Sequence, residues 1–171
     1  MRKTPEFEDC FAELIRLPSV SSIDPAHDQS NRAVIDTLAN WFDALGFSCE
    51  IMTVSNEPEK CNLIARRGEG EGGLVLSGHT DTVPYDAIGW NTDPFTLTNI
   101  NNCYYGLGTA DMKSFFPIIL ETLERLADVN FDQPIYVVAT ADEESTMSGV
   151  RAIQDQNKTL GRYCLIGEPN T

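Results

Sequence analysis

Three short apolar runs, LVLSG at 74–78, YVVAT at 136–140 and CLIG at 164–167, constrain this chain more than any other feature. All three are read as buried strands, the first two as continuous runs of the kind covered on both faces, and such strands belong to sheets with helices on either side. The corresponding strands are expected over 72–78, 134–140 and 163–167. Helical periodicity fills the gaps. Phe7, Phe11, Leu14 and Ile15 space a first helix over 5–16. A second follows Ser30 as N-cap and carries Val34, Leu38, Trp41, Phe42 and Leu45 before a stop at Gly46. Two more strands read over 48–54 and 61–67. A hairpin of 95–100 with 103–105 turns on Asn101-Asn102. A helix over 112–127 must take Pro117 in its first turns or kink there, and a short one covers 147–156. The expected fold is α/β, a mainly parallel mixed sheet flanked by helices. At 171 residues the chain fits one ordinary domain with a real core.

The residues just past each run point to chemistry. LVLSG leads into His79-Thr80-Asp81, YVVAT into Ala141-Asp142-Glu143-Glu144, and CLIG into Glu168-Pro169. Ligands of open parallel sheets bind outside the carboxyl ends of the strands, so three runs deliver His and acidic groups to one edge. Asp111 joins them from a connecting loop. His, Asp and Glu without cysteine suit a divalent, zinc-like ion. Taken singly, each has a plainer reading: His79 a loop histidine, Asp111 a helix N-cap, Glu143-Glu144 an acidic loop, Glu168 a surface turn. Taken together at one sheet edge, they favour the metal. A carboxylate at Asp81, two residues from His79, can fix the imidazole tautomer. His27, in a polar acidic loop, is expected on the surface.

Two glycine-rich stretches invite a phosphate-binding reading and fail it. GLGTADMKS at 106–114 has Met112 where a P-loop needs glycine, and Asp111 would repel a polyanion. An aspartate at the centre of such a loop fits a cation instead. GEGEGG at 68–73 leads into a strand rather than a helix and carries Glu69 and Glu71, so it is a turn. There is no G-x-S-x-G elbow and no H-E-x-x-H helix. With Lys+Arg 12 against Asp+Glu 26, the net charge of -14 argues against nucleic acid or an anionic membrane as partner. The first residues lack the apolar stretch of a secretory signal, and no run reaches membrane-spanning length. Cys10, Cys49, Cys61, Cys103 and Cys164 are odd in number and scattered, which fits reduced thiols and a cytoplasmic location.

The ordered motifs SGHTDTVP, GLGTADMKS, ATADEE and IGEPN resemble the metal-dependent amidohydrolase and peptidase family that includes acetylornithine deacetylase, succinyl-diaminopimelate desuccinylase and carboxypeptidase G2-type enzymes. The longer runs SGHTDTVPYDAIGWNTDPFTLT and YYGLGTADMKSFFPIILE are most similar to its acetylornithine deacetylase branch. The resemblance implies a zinc-aminopeptidase-like catalytic domain with two zinc ions, or cobalt in their place. It implies His79, Asp111 and Glu168 as ligands of one ion, with Asp111 bridging to a second held by Glu144. Glu143 matches the general base, and Asp81 the carboxylate behind His79. It also implies a cis peptide between Asp111 and Met112. Ser114 departs from the family, which commonly has glycine there.

The implied reaction is hydrolysis of N2-acetyl-L-ornithine to L-ornithine and acetate in arginine biosynthesis, by a cytoplasmic homodimer. A desuccinylase or dipeptidase of the same family is the alternative substrate reading. The other alternative is a non-catalytic metal-binding or interaction domain, against which the Glu143-Glu144 pair speaks, since a binding module needs no base. The resemblance further implies a lid and dimerisation domain, and a returning segment with a last histidine ligand, beyond Thr171. Residues 1–171 are expected to be the N-terminal part of the catalytic domain, with one nearly complete metal site and weak or no activity alone.

Overall fold

The computed structural model describes residues 2–169. Helices α1 (Phe7–Arg16) and α2 (Arg32–Ala44) precede strands β1 (Ser48–Asn56), β2 (Glu59–Arg67) and β3 (Leu74–His79). A hairpin of β4 (Thr98–Ile100) and β5 (Cys103–Tyr105) follows, then α3 (Phe115–Arg125), β6 (Ile135–Thr140), α4 (Ser148–Asp155) and β7 (Tyr163–Ile166). The five-stranded sheet runs β1-β2-β6-β3-β7. β3 is parallel to both β6 and β7, whereas β2 pairs antiparallel with β1 and β6. The sheet is therefore mixed, with its parallel half where the apolar runs lie.

The sheet is covered on both faces. On β2, Cys61, Leu63 and Ala65 face one way, joined by Val137 and Ala139 of β6, and pack under Leu14, Val34, Ile35, Leu38, Phe42, Phe116 and Leu120. Ile64, Val75, Tyr136 and Val138 face the other way, toward Ile153 of α4 and Leu160. This is the two-residue alternation of a strand, read out as two separate cores. The stop at Gly46 is a Schellman end: Phe47 N–H donates to Phe42 O at 3.0 Å and Gly46 N–H to Asp43 O at 2.8 Å, with Gly46 at φ 84. GEGEGG joins β2 to β3 as a turn, with Gly68, Gly70, Gly72 and Gly73 all at positive φ.

Three local expectations shift. Asn31, not Ser30, stands at the start of α2, although Ser30 Oγ accepts from Arg32 N–H at 3.1 Å. α3 begins at Phe115, three residues late, which puts Pro117 inside the first turn, where its missing N–H costs nothing. β7 is apolar yet exposed on both faces, at the edge of the sheet. Among the described residues no helix is long and apolar enough to cross a membrane, and all five cysteines are free.

Candidate metal centre

The parallel register sets the site. His79 ends β3 opposite Thr140, the last residue of β6, and Thr80 N–H donates to Thr140 O at 2.9 Å. The chain beyond each strand therefore leaves the sheet at one level. Glu168 arrives two residues beyond β7, after Gly167 N–H donates to Ser77 O at 3.1 Å. Asp111 comes from the turns between β5 and α3, and its bond to Met112 is cis.

These elements converge on one imidazole. His79 Nε2 lies 2.9 Å from Asp111 Oδ1, 3.8 Å from Glu168 Oε2 and 4.0 Å from Glu143 Oε2. Two groups form around it: His79 with Glu143 and Glu144, and His79 with Asp111 and Glu168, each with one donor atom apiece inside 4.8 Å. The ring's other nitrogen, Nδ1, lies 3.0 Å from the backbone carbonyl of Asp81 and 3.6 Å from its carboxylate. A carbonyl can only accept, so Nδ1 carries a proton and donates, which leaves Nε2 as the ligating atom. The Asp81 carboxylate is engaged elsewhere, accepting from Glu143 N–H at 3.2 Å and Glu144 N–H at 3.1 Å. One buried residue thus fixes both the histidine and the backbone of the acidic pair.

Around this the electrostatics are one-sided. Burial alone would lower the pKa of His79, but the Asp81 and Asp111 partners overturn it and raise it to about 9. Burial raises Glu144, helped by the charges of Asp111, Glu143 and Asp81. Burial raises Glu168 too, with Asp111 and Glu143 adding to it. Among the described residues no Lys or Arg pairs with Asp111, Glu143, Glu144 or Glu168. One imidazole among four carboxylates that no Lys or Arg neutralises is a donor set that fits a divalent cation of the zinc type.

Sequence reasoning placed His79, Asp81, Asp111, Glu143, Glu144 and Glu168 at one edge, and the structure brings all six together. His27 lies outside, exposed and 3.2 Å from Asp24. Several supporting residues gave no such signal. Met112 is buried, and its sulfur accepts from His79 N–H at 3.4 Å. Lys113, which a P-loop would aim at phosphate, is buried and donates to Leu14 O at 3.1 Å and Leu17 O at 2.7 Å, at the end of α1. Burial draws its pKa down to about 7, against the charge of Asp81. Asn62 Oδ1 accepts from Ala141 N–H at 3.0 Å while its amide donates to Gly149 O at 2.7 Å. A side chain at Gly149 would collide with Ala141 and Asn62, so that close approach requires glycine. Asn170, the last residue of the IGEPN motif, lies outside the described residues.

The family model of peptidase family M20/M25/M40 matches residues 75–171. An acetylornithine deacetylase from Pasteurella multocida is 46% identical over 171 residues, 100% of this chain and 45% of that protein. One from Vibrio campbellii is 50% identical over 167 residues, 98% of this chain and 44% of that protein. The chain spans less than half the length of these curated relatives. Among solved structures, human carnosine dipeptidase 1 matches with a TM-score of 0.80 at 18% identity, over 96% of this chain and 38% of that one. An M20 family metallo-carboxypeptidase from Sulfolobus solfataricus matches with a TM-score of 0.79 at 20% identity, over 98% and 38%. At those identities the likeness speaks for the fold.

Proposed function

The chain belongs to peptidase family M20/M25/M40, and from that premise we propose that it carries the metal-binding part of a zinc-dependent amidohydrolase. The substrate we propose is N2-acetyl-L-ornithine, hydrolysed to L-ornithine and acetate, and the support is the similarity to relatives of that name along the whole of this chain. The observation that carries the metal reading is the gathering of Asp111, Glu143, Glu144 and Glu168 around His79, with no Lys or Arg paired to any of them among the described residues.

In this reading His79, Asp111 and Glu168 would hold one zinc, with cobalt able to replace it, and Asp111 and Glu144 would serve a second. A divalent ion held there would supply Lewis acidity to the amide carbonyl and to water. Glu143 is the general base. It takes a proton from the water that attacks the acetyl carbon and delivers it to the departing amine as the C–N bond breaks. Its side chain is 32% exposed, against 1% for His79, so it stands on the open rim where a substrate arrives. Asp81 keeps the imidazole and the Glu143–Glu144 backbone in register throughout. For the whole protein we extend the proposal to a cytoplasmic homodimer in arginine biosynthesis, with a lid and dimerisation domain. These 171 residues are then the N-terminal part of its catalytic domain.

The test is acetate release from N2-acetyl-L-ornithine, measured on this chain and on the longest natural protein carrying it. N-succinyl-diaminopimelate and a dipeptide serve as competing substrates. Preferred turnover of the acetylated substrate supports the proposal. Preferred turnover of a competitor moves the substrate within the family, and metal retention without any hydrolysis overturns the enzyme reading.

A further inference from the structure

Directly beneath the Glu143–Glu144 pair lies a buried ionic network that no motif announces. Lys60 is 1% exposed, and its ammonium donates to Asp28 Oδ1 at 2.7 Å and Asp142 Oδ1 at 2.9 Å. Asp142 also accepts from Ser21 Oγ at 2.8 Å and Ser148 Oγ at 2.6 Å. Ser21 Oγ in turn shares a 2.6 Å hydrogen bond with Ser145 Oγ. The sheet explains why these groups meet. β2 is antiparallel to β6, with Leu63 opposite Ala139, and it runs on past the end of β6. The same register continued brings Asn62 and Lys60, two residues apart and so on one face, level with the turn that carries Asp142.

That turn needs holding. Asp142 sits at φ 57, a left-handed conformation that aspartate tolerates and larger residues resist. Its carbonyl accepts from Met147 N–H at 2.6 Å, which closes residues 142–147 into a loop. The two residues after Asp142 are the acidic pair whose N–H groups seat on the Asp81 carboxylate. A continuous path therefore runs from the Lys60 ammonium through Asp142 to Glu143 and Glu144, and from Asp81 to His79. A buried ion pair is seldom more stabilising than apolar residues of equal volume, so stability alone does not account for one here.

We propose that Lys60 is a positioning residue for the metal centre: its ammonium holds Asp142 and thereby fixes the turn that aims Glu143 and Glu144 at His79. The inference rests on the metal reading of the cluster. The Lys60 ammonium pairs with Asp28 and Asp142 and with no member of the cluster, so its path to the cluster runs through Asp142.

The test is titration of the chain with cobalt(II), read by its visible d–d bands, in wild type, Lys60→Met and Ser148→Ala, with folding checked by circular dichroism. In wild type, saturable cobalt bands are expected. In folded Lys60→Met, cobalt affinity should fall about 10- to 100-fold, the usual effect of removing a partner behind the ligands. The bands at saturation should also change shape, because the ligands are re-aimed. Ser148→Ala, which removes one donor to Asp142 and spares the buried ammonium, should shift both in the same direction by less. If Lys60→Met does not fold, Ser148→Ala decides by the same criteria. Unchanged affinity and bands in a folded variant overturn the positioning role and leave the metal reading intact. Lower affinity with unchanged bands at saturation reports a purely structural role and also overturns it. A wild-type chain without cobalt bands overturns the metal reading, and this inference with it.

Discussion

The metal centre has a closed half and an open half. His79 and Asp81 are 1% and 0% exposed, locked by the end of β3, the Met112 sulfur and two backbone amides. The side chains of Asp111, Glu168 and Glu143 are 44%, 41% and 32% exposed, and among the described residues no Lys or Arg restrains them. In the closed half the fold dictates geometry, and a group there cannot change without leaving a buried partner unsatisfied. In the open half the carboxylates crowd one another at the solvent edge, which is unfavourable until a cation arrives. The contrast separates residues whose loss damages the fold from residues whose loss damages only chemistry.

The largest effect should come from the open half without any structural cost. Glu143→Gln, in the longest natural protein carrying this chain, is expected to lower turnover by about 10²- to 10⁴-fold while metal content and melting temperature stay put. Turnover near wild type would remove Glu143 from the role of base. The next effect crosses the two halves. His79 has a pKa of about 9, above its ordinary 6.5, so a metal must displace its proton at neutral pH. Zinc affinity by calorimetry should rise about tenfold per pH unit from 7 toward 9 and flatten above.

His79 taken alone gives the metal-free chain the opposite slope. A raised folded pKa contributes stability that is fully present below the unfolded value of 6.5 and is lost as pH rises through about 9. Buried Lys113, drawn down from 10.5 to about 7, works the other way and adds stability as pH rises from 7 toward 10.5. The His79 contribution is therefore read as a difference: without metal, the melting-temperature advantage of wild type over His79→Ala should shrink between pH 6.5 and 9.

In the closed half, Asp81→Ala should cost stability even without metal, about 1–3 kcal/mol for each amide left without its acceptor. Chemical denaturation measures this directly, and no loss would contradict the division. The smallest effect belongs to Glu168→Gln. Burial, with the charges of Asp111 and Glu143 added, already raises the Glu168 pKa, so removing its charge should leave metal-free stability unchanged to within about 0.5 kcal/mol while weakening zinc binding. A large loss of stability would place Glu168 in the closed half.

The open half was legible in the sequence, and so was His79 at the end of its strand. Asp111, Glu143, Glu144 and Glu168 follow apolar runs or interrupt a glycine-rich loop, and polar residues at strand ends carry a local signal. Gly46 and the Asn101-Asn102 turn were legible for the same reason, since their backbone demands are local. What holds the closed half depends on pairing across long separations. That Lys60 reaches Asp142, or that Lys113 caps α1 from across the chain, follows from strand register and not from neighbouring residues. Met112 and Lys113 read as the first turn of a helix, whereas the structure uses both to hold the loop and starts α3 at Phe115. The antiparallel half of the sheet was hidden for the same reason, because β2 meets β6 only after some seventy residues of chain. β7 shows the converse limit: its run is apolar enough for a covered strand, yet burial depends on what packs against it.

The most direct test of the metal centre is zinc content by elemental analysis, after dialysis against excess zinc and then buffer, beside a His79→Ala variant. The account predicts about one zinc per folded chain in wild type and its loss in His79→Ala, because the open carboxylates alone make a poor zinc site. A folded wild-type chain that retains no zinc, or a variant that retains as much, would contradict it.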